Sequence, residues 1–135
     1  MEYLIGVALA GAVCAFGTLA GFDRDRAFYS TMLIVVATYY ILFAVMGGST
    51  PSLVEECLVA SVFVAVAVAG FTKNFWLVAA AIAGHGVFDF SHHLFVQNPG
   101  LPAWWPGFCG AFDVVAGAYL ALLLTRRSRS AGIAR

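Results

Sequence analysis

The chain has 135 residues, 62% of them hydrophobic and only 10% charged, with seven basic residues against seven acidic ones. Soluble domains carry roughly 25% charged residues, so this composition excludes an ordinary soluble domain and makes the lipid bilayer the expected medium. Zero formal net charge and the lack of a long basic stripe exclude nucleic acid as a partner. Cys14, Cys57 and Cys109 form no CxxC pair, which excludes a disulfide framework or a sequence-adjacent thiolate metal motif.

Crossing a bilayer takes about 20 mainly apolar residues. Five stretches meet that need, at about residues 3–22, 27–47, 51–71, 75–97 and 108–125. The first, "YLIGVALAGAVCAFGTLAGF", is rich in small residues and ends at the charged "DRDR"; without a basic leader before it, it reads as a retained helix. The second carries Tyr39 and Tyr40 in mid-span and ends at "GGST". Thr50-Pro51 is a natural start for the third, with threonine as cap and proline in the first turn. Glu55 and Glu56 follow within two turns, and Asn74 is placed to cap the fourth helix. Between the fourth and fifth, "NPGLPAWWPG" reads as a rigid loop that holds Trp104 and Trp105 at the lipid–water interface, as a lip over whatever lies beneath. Residues 126–135, "RRSRSAGIAR", read as a disordered basic cytoplasmic tail.

Threading five helices alternately puts Arg24, Arg26, Lys73, Arg126, Arg127, Arg129 and Arg135 on one side. That side is then cytoplasmic, with the N-terminus outside and the C-terminus inside. The expected fold is an all-α, five-helix transmembrane bundle forming a single domain.

The polar residues of the spans converge at the opposite, outer end. "GHGVFDFSHH" contains every histidine of the chain. At about 100° per residue, His85, Asp89 and His92 fall within roughly 60° of one another, with His93 a step aside. On the fifth helix Cys109, Asp113 and Gly117 share a face, and its small residues allow close approach to the fourth. His85, Asp89, His92 and Asp113 are therefore the candidate ligands of a membrane-embedded divalent transition metal, zinc or similar. His93, Glu55, Glu56 and Cys109 are alternative or supporting groups. Haem is disfavoured, because two ligands on one helix cannot straddle a macrocycle. Cys57 and Cys109 lie at similar depth, which leaves a disulfide between them open.

Three functions compete. A metal site with an open position would acidify water for hydrolysis at the lipid surface. A proton- or ion-coupled transporter would use the histidines as titrating groups, and so small a chain would have to form a homodimer. A structural or partner-binding protein would use the same His–Asp contacts as helix glue.

The segments "FDRDRAFYSTMLIVVATYYILFAVMGG", "GHGVFDFSHH" and "PAWWPGFCGAFDVVAGAYL" together resemble a family of small uncharacterised bacterial integral membrane proteins, a domain of unknown function. The resemblance covers nearly the whole chain. It implies a multi-pass protein of the bacterial inner membrane and supplies no mechanism.

Overall fold

A computed structural model describes residues 1–133, with side chains to residue 130. Among the described residues it contains five α-helices and no strand: α1 Glu2–Ala20, α2 Ala27–Met46, α3 Thr50–Thr72, α4 Trp76–Ser91 and α5 Trp105–Ile133. Short 3₁₀ turns at Phe22–Arg24 and His92–Leu94 follow α1 and α4.

The burial pattern is consistent with a membrane protein. Large apolar side chains such as Leu4, Leu19, Leu58 and Leu122 lie on the outside, while Glu56, His85, Asp89, His92 and Asp113 are fully buried. Exposed apolar surface on this scale has no place in water. Four helices (α1, α2, α3 and α5) are long and apolar enough to cross a membrane. The fourth is shorter than expected. Its 16 residues rise only ~24 Å at ~1.5 Å each, and regular helix ends at Ser91 instead of near Gln97. Ser91 Oγ bonds back to the Phe88 carbonyl at 3.1 Å, and a 3₁₀ turn at His92–Leu94 follows. Beyond the turn, the loop is tied to the bundle by Ser52 Oγ, which donates to the Gln97 carbonyl at 2.7 Å.

Other boundaries move for local reasons. The cap of α3 is Ser49, one residue before the expected Thr50; its hydroxyl accepts from the Ser52 N–H at 3.3 Å. The N-cap position of α4 is Phe75, without a side-chain cap bond; Asn74, one residue earlier than a cap, accepts from the Trp76 N–H through Oδ1 at 3.1 Å. The last helix starts at Trp105 instead of 108, since Pro106 in a first turn gives up an N–H that would be unpaired anyway. It also continues through Ile133, so the expected disordered tail is helical over the part described, and only residues 134–135 lie outside it. Nothing between Thr125 and Ser130 breaks a helix, and arginine is a good helix former.

The helices form an incomplete ring. The closest pairing is α4 with α5; α1 packs on the other side of α5, and α2 packs on α3, which leans on α4. Small residues set the α4–α5 approach. A Cβ at Gly86 would stand 2.7 Å from the Gly110 carbonyl oxygen, and one at Gly117 would stand 2.7 Å from the Ala83 nitrogen. Gly84, by contrast, faces open space.

The ring stays open between α1 and α2, which enclose a mainly apolar cleft of about 1300 Å³ floored by Phe108, Cys109 and Phe112 of α5. At one end of the bundle Arg26 Nη1 donates to the Phe71 carbonyl at 3.0 Å and Arg127 Nη2 to the Asp23 carbonyl at 2.9 Å. This "arginine end" gathers the α1–α2 and α3–α4 connections with the later part of α5. The opposite "tryptophan end" gathers the starts of α3 and α5.

Candidate functional site

Two i, i+4 pairs on antiparallel helices face each other near the tryptophan end. His85 and Asp89 come from α4, Cys109 and Asp113 from α5, and one donor atom from each lies within 4.8 Å of all the others. The Gly86–Gly110 crossing makes this possible, because it brings the backbones together one residue from His85 and one from Cys109. His85 Nδ1 stands 2.7 Å from Asp113 Oδ2 and 3.5 Å from Asp89 Oδ2. Cys109 Sγ is 3.8 Å from Asp113 Oδ2. His85, Asp89 and Asp113 are each at most 1% exposed. Among the described residues, Asp89 Oδ2 and Asp113 Oδ1 have no hydrogen-bond partner, an expensive state for carboxylate oxygens in an apolar interior.

A second buried polar group adjoins the first. His92 Nε2 lies 2.9 Å from Glu56 Oε1, which also accepts from Asn98 Nδ2 at 2.9 Å. Asn98 Nδ2 reaches the Tyr40 carbonyl too, at 3.0 Å. Tyr40 joins the two groups: its hydroxyl donates to Asp89 Oδ1 at 2.8 Å, and its ring stacks on His92 with centroids 4.4 Å apart. Phe63 closes over His85 edge-on at 4.7 Å.

The expected residues divide accordingly. His85, Asp89 and Asp113 come together as the helical stripes imply, and Cys109 joins them as a direct member. His92 is buried but pairs with Glu56. Seven residues separate it from His85, a rise of roughly 10 Å, too far for both imidazoles to share one ion at ligand bond lengths of about 2 Å. Of the adjacent acids, Glu56 is inside and Glu55 exposed; His93 is exposed as well. Consecutive helix positions point about 100° apart, so only one of each neighbouring pair can enter the core. All three cysteines are free, with Cys57 on an exposed face and Cys109 buried. Trp104 is half exposed, while Trp105 packs edge-on against Tyr39 and Phe43. Both line the α1–α2 cleft, not a lip above the histidines.

Tyr40 and Asn98 are members that the residue pattern does not single out. Tyr40 sits in a tyrosine doublet whose inward member periodicity alone does not select, and Asn98 lies in a loop with no period at all. Asp23, which reads from sequence as a loop charge, is instead buried at the arginine end. Its Oδ2 accepts from Thr18 Oγ1 at 2.8 Å, and its Oδ1 lies 3.5 Å from Arg127 Nη2.

Comparison of the chain with family models, curated proteins and solved structures finds no match.

Proposed function

We propose that this chain is a five-span bacterial inner-membrane protein that holds a divalent transition metal, zinc or similar, between α4 and α5. His85, Asp89, Asp113 and Cys109 are the ligands. The observation that carries the reading is their convergence within 4.8 Å, combined with the two unpartnered carboxylate oxygens. An imidazole, a thiol and two carboxylates make up a donor set suited to zinc and its neighbours. A divalent cation also balances two carboxylates that have no Lys or Arg beside them. It would take the place of the proton shared between His85 Nδ1 and Asp113 Oδ2. Tyr40, donating to Asp89 Oδ1, would fix that carboxylate's orientation as an outer hydrogen-bond partner. The bias of basic residues makes the arginine end cytoplasmic and the site outward-facing. With α4 taken as a span completed by its 3₁₀ turn, the threading puts the N-terminus outside. Bound there, a metal supplies Lewis acidity, which suits the site to hydrolysis at the membrane surface.

The helix-glue reading is favoured by one specific contact, the direct His85–Asp113 bond of 2.7 Å, which holds α4 to α5 without an ion. A transporter is disfavoured by the apolar core between the cluster and Asp23, where Leu33, Ile82, Ala116 and Leu120 are all buried.

Elemental analysis of the purified protein separates metal from glue. The metal reading expects about one equivalent per chain, lost in the His85→Ala/Asp113→Ala double variant. Metal well below stoichiometry, and unchanged in that variant, refutes it.

A further inference from the structure

The cleft between α1 and α2 touches the cluster through a single residue. Cys109 belongs to the His–Asp–Cys group on one side and to the cleft floor on the other. It lies four residues into α5, hence ~6 Å below Trp105, with Asp113 ~6 Å deeper. That depth places the cluster just beneath the interfacial tryptophans, where the polar part of a membrane lipid gives way to its alkyl chains.

The two ends of the cleft differ. At the tryptophan end it is lined by Glu2, Trp104 and Trp105. At the arginine end the cleft is shut by Phe22 and Phe28. Gly17 lies so close to Phe28 that a Cβ on it would stand 2.8 Å from the ring, and Phe22 and Phe28 have centroids 6.3 Å apart. Asp25 at that end is already engaged, accepting from the Ala27 N–H at 2.8 Å. A transmembrane helix from another copy, ~10 Å across and running the full bilayer thickness, would collide with this closed end. An alkyl chain simply stops there. Between the ends the walls are aliphatic, with Leu9 and Val13 on α1 and Met32 and Val35 on α2.

We propose that the cleft seats one membrane lipid, which enters sideways from the bilayer, and that lipids are the substrate class of the cluster. The alkyl chain lies between Leu9, Val13 and Val35, and the polar–apolar junction lies beside Cys109. The seat stands on the cleft alone; its role as a substrate site rests on the metal reading above.

The test is photo-crosslinking in phosphatidylcholine vesicles containing a small fraction of phosphatidylcholine with a diazirine on the acyl chain. Peptide mapping and metal analysis are made on the same samples. The proposal expects label concentrated on Leu9, Val13 and Val35 over Leu19, Leu58 and Leu122, which are more exposed. It also expects a several-fold loss of cleft label in Leu9→Trp/Val35→Trp, with metal content unchanged. Both replaced side chains are about half exposed, so the variant keeps the core intact, and Leu19→Trp serves as the control. Label that follows exposure alone overturns the seat, as does cleft label unaffected by the filling variant or a cleft crosslinked to a second copy. Full cleft label without bound metal upholds the seat and overturns the metal reading.

Discussion

The two ends of the bundle bury carboxylates in opposite ways. At the arginine end, Asp23 is matched by Thr18 and by Arg127, whose side chain is about half exposed (46%). At the tryptophan end, Glu56, Asp89 and Asp113 are buried among two imidazoles, a thiol and a tyrosine, with no Lys or Arg paired to them among the described residues. A guanidinium stays charged at any accessible pH and makes Asp23 a latch between the α1–α2 turn and α5. Imidazoles balance acids only by holding protons, and a metal can take a proton's place. The same residue type, buried to a similar degree, is therefore structural at one end and a ligand candidate at the other.

That contrast is sharpest at Asp113. Asp113→Ala leaves His85 without its closest partner in the core, and breaking a buried pair of this kind costs about 3–5 kcal/mol. Thermal unfolding in detergent should show a large drop in midpoint together with loss of bound metal. A shift no larger than that of Arg127→Ala would erase the distinction between the two ends.

Gly86→Leu attacks the same end through the backbone. Even a Cβ there would meet the Gly110 carbonyl oxygen at 2.7 Å, so a leucine must push α4 from α5, an overpacking cost of about 2–3 kcal/mol. Metal content should fall although every ligand is still present. Retained metal in a stable Gly86→Leu protein would show that the helices need not be this close to form the site.

Tyr40→Phe removes the donor to Asp89 Oδ1 and keeps the ring on His92. A lost hydrogen bond of this type costs about 1–2 kcal/mol, and metal affinity should weaken ~10-fold or more as an outer partner is lost. Chelator competition measures the second effect; unchanged affinity would reduce Tyr40 to packing.

At the arginine end, Arg127→Ala should cost about 1 kcal/mol or less, because the guanidinium is half solvated, and it should leave metal content untouched. The smallest effect is expected at Glu55→Ala, with no measurable change in unfolding midpoint, whereas Glu56→Ala strands His92 and Asn98 and should be clearly destabilising. Equal effects at the two glutamates would contradict the placement of Glu56 in the core.

Much of this architecture is legible without coordinates. Apolar runs between charged turns mark the helices, since only a regular helix satisfies its backbone in lipid. The i, i+4 spacing of His85 with Asp89 and of Cys109 with Asp113 puts each pair on one face. The small residues on the face of Cys109, Asp113 and Gly117 signal that the fourth and fifth helices can approach closely. The helix ends are less legible: α4 stops early, where the chain turns 3₁₀ at His92–Leu94 and Ser52 holds the Gln97 carbonyl, and α5 runs long because no breaker follows Thr125.

By itself the sequence determined that the chain is helical, that its long apolar runs suit a membrane, and that its polar side chains gather toward one end. Periodicity sets which residues share a stripe, and that is a property of one helix at a time. Only the tertiary structure decided which stripe meets which. It chose Glu56 over Glu55, turned His92 to Glu56, brought Cys109 into the cluster and set Tyr40 between the two polar groups. It also left the gap between α1 and α2. Each choice depends on how far a helix is rotated about its own axis, and small-residue contacts between helices, such as Gly86 on Gly110 and Gly117 on Ala83, set that rotation.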